Sequence, residues 1–111
     1  MTTAVNETTK KRWTYEDYYN LEDDKRYEVI KGELIITPAP LFKHQKVLMQ
    51  LIKLLLKHIE EKQAGEIVVV PVDVVFSDDI VLQPDIIYIS NENKGVIKER
   101  GIFGPPDMIV E

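Results

Sequence analysis

The chain has 111 residues, enough for one domain with a real but modest core. It has no cysteine, which excludes a disulfide framework, a zinc-thiolate site and a cysteine nucleophile. Its formal net charge of −5 argues against tight, sequence-independent nucleic-acid binding over the whole surface, because neutralising phosphates supplies most of that affinity; a local basic face is still allowed.

Residues 1–12 are polar and rich in Thr and Lys, and read as a flexible tail ahead of a single domain over 13–111. The first residues lack the apolar core of a signal peptide, and no apolar run approaches the roughly 18 residues of a membrane span. A soluble, cytoplasmic protein with no membrane partner is therefore expected. Thr14 is placed to cap a short helix over Tyr15–Leu21, with Glu16 and Asp17 in its first turn and Trp13 stapled against it. The β-type runs Tyr27–Ile30 and Glu33–Ile36 flank Lys31-Gly32 and predict a tight hairpin, ended by Pro38 and Pro40.

From Leu41 to Gln63 the apolar residues recur at helical period, which predicts the long helix of the chain, stopped at Gly65. Ile67–Phe76 reads as one β-rich run interrupted at Pro71 and Asp73. Ile80–Leu82 and Asp85–Ile89 read as the next strand region, broken at Pro84, and Val96–Arg100 as one helical turn before Gly101. Gly104-Pro105-Pro106 is a stiff loop into a last strand over Asp107–Glu111. Hairpin, long helix and strands in that order make an α+β or α/β layout with one large helix on a sheet.

Two carboxylates stand out. Asp85 opens an apolar strand, and Glu111 ends another that could lie beside it. If both face one edge, they make an oxygen-rich site for Mg²⁺ or Mn²⁺, completed by water and a phosphate oxygen. On spacing alone the plainer reading weighs more: turn chemistry at Pro84-Asp85 and a solvated Glu111. His44, near the start of the long helix, could meet an anion there or serve as a surface or capping residue. Asp73 interrupts an apolar run and ranks below Asp85. Lys43, Lys46, Lys53 and Lys57 share a narrow arc of the helix opposite its apolar face; such a row can track a phosphate backbone but is more often the wet face of an amphipathic helix. There is no P-loop, zinc spacing, Ser-His-Asp order or dinucleotide fingerprint, so no nucleotide cofactor is expected.

An ordered set of segments carries more than any one of them. Tyr27–Leu34 with Pro38, His44-Gln45, Pro71–Val75, Gln83–Ile89 and Gly104–Glu111 together resemble the Uma-two family of restriction-endonuclease-like proteins, in the PD-(D/E)XK nuclease superfamily. The resemblance implies a restriction-endonuclease-like α/β core with an N-terminal hairpin, one long helix and a mixed sheet, and a divalent-metal phosphodiesterase acting on DNA. It implies that Asp85 and Glu111 are the metal-holding acids, with Glu28 or Glu33 as an auxiliary acid; His44, from its place near the helix start, could steady a phosphate there. Read from residues alone, Glu28 and Glu33 are exposed hairpin charges. The family continues past the second acid, so the chain is expected to be the N-terminal part of a longer fold, with the catalytic lysine unassigned. An exposed sheet edge and helix face then predict a homo-oligomer. The competing expectation is a non-catalytic oligomerising or DNA-interaction module.

Overall fold

The computed structural model describes residues 3–4, 12–69 and 71–111. The fold is α+β: among the described residues there are two α-helices and two sheets, the larger of them mixed.

The first helix, α1, spans Tyr15–Tyr19. Thr14 closes its start through a capping box: its Oγ1 accepts from the Asp17 N–H at 3.3 Å, and the Asp17 carboxylate accepts from the Thr14 N–H at 3.0 Å. Strands β2 (Arg26–Ile30) and β3 (Glu33–Thr37) form the expected hairpin. Lys31 and Gly32 have φ of 52° and 81°, the two positive values that a two-residue turn of this hand requires. The tail reading is only partly within view: β1 (Thr3–Ala4) pairs with β3, and the rest of 1–11 lies outside the described residues.

The large sheet continues through β5 (Asp73–Ser77), β6 (Ile80–Leu82), β8 (Ile97–Lys98) and β9 (Gly101–Phe103). Its strand order is β1-β3-β2-β6-β5-β9-β8, and β5 runs parallel to β9. The second sheet holds β4 (Gly65–Val69), β7 (Ile86–Ser90) and β10 (Met108–Val110), antiparallel, with β7 in the middle.

Strand alternation divides the core into two layers. Val29, Leu34, Val75 and Val81 turn to one side of the large sheet and bury Tyr15 of α1, joined by Trp13, Tyr18, Tyr27 and Phe103. The next residue along β5, Val74, turns the other way and meets Ile102 of β9 and Ile87 and Ile89 of β7, which joins the sheets face to face. By the same alternation Tyr27 and Val29 face α1, so Arg26 and Glu28 face the opposite side. That single reversal along β2 makes the site described below.

Three expectations for the strands and their connections are corrected. Ile67–Phe76 is not one interrupted strand but two, β4 and β5, in different sheets; Pro71, which lacks an N–H for a ladder, stands between them. Ile80–Leu82 and the strand after Pro84 likewise belong to different sheets, and the Gln83 N–H leaves the ladder to bond a side chain, Glu28. Val96–Arg100 is not a helical turn. A 3₁₀ segment occupies Asn91–Val96, and Ile97–Lys98 then pair back onto β9 across Glu99-Arg100. Arg100 lies 3.7 Å from the Tyr19 ring centroid and 3.3 Å from Glu16, which ties this loop to α1.

The second helix, α2 (Phe42–Lys62), lies on β4. Gln63 in the left-handed conformation ends it, not Gly65. Gly65 is needed for another reason: a Cβ there would collide with the backbone carbonyl of Ile89 on the neighbouring strand. Gly65→Ala is expected to cost about 1–3 kcal/mol, because backbone and not a side chain must move; an unchanged urea midpoint would refute the close approach. Among the residues of α2 only Leu48 and Ile59 are buried, while Phe42, Val47 and Leu54 are 79%, 62% and 68% exposed. Among the described residues no helix is long and apolar enough to cross a membrane.

Candidate functional site

The pairing of β10 with β7 sets Val110 opposite Ile86 and lets the Asp85 N–H donate to the Val110 carbonyl at 2.8 Å. Asp85 and Glu111, the residues just outside that last pair, therefore meet at one end of the small sheet. At the other end the register is locked by Asp107, whose carboxylate accepts from the Ser90 N–H at 2.6 Å; that bond holds the carboxyl below its usual range.

The large sheet brings Glu28 to the same place. Glu28 is only 5% exposed, and its Oε2 accepts from the Gln83 N–H at 2.8 Å. A buried carboxylate is tolerated only with such a partner. The start of α2 contributes His44, whose Nε2 lies 3.2 Å from Asp85 Oδ2. Together these side chains line a cavity of about 610 Å³ walled on its apolar side by Pro38, Pro40 and Leu41. Four residues singled out in the sequence, Glu28, His44, Asp85 and Glu111, thus share one cavity.

Crowding of like charge shows in Glu111. Its carboxyl is pushed up to about 7, first by burial, then by the charge and hydrogen bond of Glu28, then by the charge of Asp85. The residue as a whole still reaches solvent, so the shift belongs to the carboxyl end turned into the cavity. Arg26 acts in the opposite direction and favours the ionised form.

Other candidates lie elsewhere. Glu33 pairs with Ile30 at the turn end of the hairpin, is exposed, and does not line the cavity. Lys43, Lys46, Lys53 and Lys57 are all exposed on α2 and none lines the cavity, although the row begins at the helix end that does. Asp73 is held by the Tyr18 hydroxyl at 2.6 Å and by Gln83 Nε2 at 2.9 Å. Burial and this acceptor together raise the pKa of Tyr18.

The sequence reading missed three residues of the cavity: Arg26, Thr37 and Gln83. Arg26 is the one Lys or Arg among the described residues that line it, and its Nε is 3.4 Å from Gln83 Oε1. For Arg26 a signal was available: it stands two positions before Glu28 on one strand, the period at which strand residues share a face, whereas Gln83 lies in the connection between β6 and β7 and carried no such signal.

Among the described residues no three His, Asp or Glu side chains are gathered closely enough to form a ready metal cluster. The donor chemistry still suits a hard cation. Mg²⁺ is held by as few as one or two carboxylates, with water and substrate phosphate filling its other positions. Asp85 and Glu111 could supply that pair, and a cation between them would offset the burial and like charge that disfavour ionised Glu111.

Comparison with curated proteins gives no match. The model of the Uma2 family, described as "Putative restriction endonuclease", matches residues 14–111, which takes in both helices, the hairpin and every residue of the cavity. The chain belongs to the Uma2 family.

Proposed function

We propose that the chain is a divalent-metal-dependent DNA endonuclease that hydrolyses phosphodiester bonds. The observation that carries this reading is the convergence of Asp85, Glu111 and buried Glu28, from separate strands, on one cavity in which Glu111 is held near neutrality. Asp85 and Glu111 would hold Mg²⁺ or Mn²⁺. Such a cation supplies Lewis acidity at a phosphate oxygen and a lowered pKa for the attacking water.

The protein's own side chains divide the remaining work. His44 Nε2 faces Asp85 Oδ2 and, when it carries the proton, donates to it and fixes its orientation. Glu28, anchored by the Gln83 N–H, is a rigid acceptor for water in the cavity. Pro38, Pro40 and Leu41, all exposed, give the cavity an apolar flank. The exposed row Lys43, Lys46, Lys53 and Lys57 extends about 21 Å along α2 from the cavity end and would track a DNA backbone. The test is nicking of supercoiled plasmid that requires Mn²⁺ and is lost in Glu111→Gln. No nicking at any divalent-metal concentration would sink the enzyme reading.

The exposed flanks of α2 favour a second reading, a non-catalytic module derived from the nuclease fold that binds a second copy of the chain or contacts DNA weakly. Gel filtration at low micromolar concentration is expected to show a dimer or larger species, reduced by Leu54→Lys. A clean wild-type monomer would remove this reading's support.

A further inference from the structure

We propose that Arg26, aimed by Gln83 and flanked by Thr37, is the phosphate-binding cation of the cavity. The inference rests on the phosphodiester-binding reading above and assigns that reading a residue it lacked.

A site that binds a phosphodiester beside three carboxylates needs positive charge of its own, beyond any metal. The lysines of α2 do not reach the cavity; Arg26 does. Its guanidinium is aimed by a chain of side-chain bonds. The Tyr18 hydroxyl donates to Asp73 Oδ1 at 2.6 Å, Gln83 Nε2 donates to the same oxygen at 2.9 Å, and Gln83 Oε1 faces Arg26 Nε at 3.4 Å. Asp73 thereby sets which way the Gln83 amide points, with oxygen toward the arginine. This arrangement ties up only Nε by a neutral partner. No carboxylate stands within ion-pair distance of Arg26 among the described residues, so its forked N–H groups are not committed to an acid.

Thr37 supplies a second indication. It sits directly opposite Arg26 across the β2–β3 pair and lines the same cavity. Its Oγ1 is buried and makes no hydrogen bond among the described residues. A buried hydroxyl without a partner is uncommon and carries an uncompensated desolvation cost. A phosphate oxygen held by the guanidinium would give that hydroxyl an acceptor after a turn about χ1.

The test compares wild type with Arg26→Gln, Arg26→Lys and Gln83→Met. Affinity for a short DNA duplex is read with Ca²⁺, between about 50 and 200 mM salt, and Mn²⁺ binding is read separately by calorimetry. Arg26→Gln is expected to bind the duplex about tenfold more weakly, with a salt slope lower by about 0.9, while Mn²⁺ binding is kept or strengthened. Gln83→Met leaves the net charge and the backbone bond to Glu28 in place, and is expected to weaken the duplex by a few-fold. Wild-type duplex affinity and slope in Arg26→Gln would overturn the proposal. Should Arg26→Gln fail to fold, Arg26→Lys is read in its place: weaker duplex binding by a folded Lys variant supports the fork contact, and wild-type binding overturns the forked contact on which the proposal rests. A wild type that binds no duplex also overturns the proposal. The calorimetry then judges the metal site alone, so the two failures stay distinct.

Discussion

Asp85→Ala is expected to abolish Mn²⁺ binding measured by calorimetry, with affinity falling at least about 100-fold, or about 2.8 kcal/mol. The size of the effect follows from geometry. Asp85 is positioned by main-chain pairing, through its N–H to the Val110 carbonyl at 2.8 Å, and oriented by a side chain, His44 at 3.2 Å. Truncation removes the carboxylate but keeps the N–H bond, so β7 and β10 should stay paired and the fold should survive. The near-isosteric Asp85→Asn separates charge from packing: it retains the contact with His44 and should still lose most of the metal affinity. Wild-type Mn²⁺ binding by the Ala variant would exclude Asp85 as a ligand and leave the cavity without a metal-holding pair.

How much of this was open to sequence reading depended on whether the deciding interaction was local. The hairpin was legible because Lys31-Gly32 demands positive φ at both positions, and flanking β-type runs leave few other solutions. The long helix was legible from its period, and α1 from Thr14 and Asp17, whose capping box lies within four residues. Strand partnership was not legible. Ile67–Phe76 and Ile80–Ile89 each look continuous in apolar content, yet each crosses from one sheet to the other, because the choice is made by distant partners: Ile87 and Ile89 against Val74 and Ile102. The site divided in the same way. For Asp85 and Glu111 spacing alone favoured turn chemistry and a solvated end residue; the ordered family resemblance pointed to the pair, which the structure brings to one cavity. Arg26, Thr37 and Gln83 were passed over because their role comes from which face of β2 turns inward, and that is decided by Val29 packing under Tyr15. Glu33 shows the converse. It shares the hairpin with Glu28 but lies beside Ile30 at the turn end, outside the cavity.

Glu111 should make both stability and metal binding depend on pH, in opposite directions. Its carboxyl sits at about 7 in the folded chain against an ordinary 4.5, so between those values the folded state holds a proton that the unfolded state has lost. Stability from this group is therefore fully present below about 4.5 and declines as pH rises through about 7. A cation takes only the ionised carboxylate, so Mn²⁺ affinity rises over the same range. Competition with one proton at a pKa of about 7 predicts a gain of about 25-fold between about pH 5.5 and 7.5, levelling off above. Glu111→Gln is neutral throughout. It should flatten the decline in melting temperature that wild type shows between about pH 4.5 and 7, and bind Mn²⁺ weakly at every pH. Mn²⁺ affinity in wild type that stays constant across this range would mean that Glu111 is not a ligand, even if its carboxyl does titrate near neutrality. The opposed slopes share an origin: burial first, and then the charges of Glu28 and Asp85, disfavour an ionised Glu111 in the cavity, and a proton or a metal ion can each offset that penalty, but not both at once.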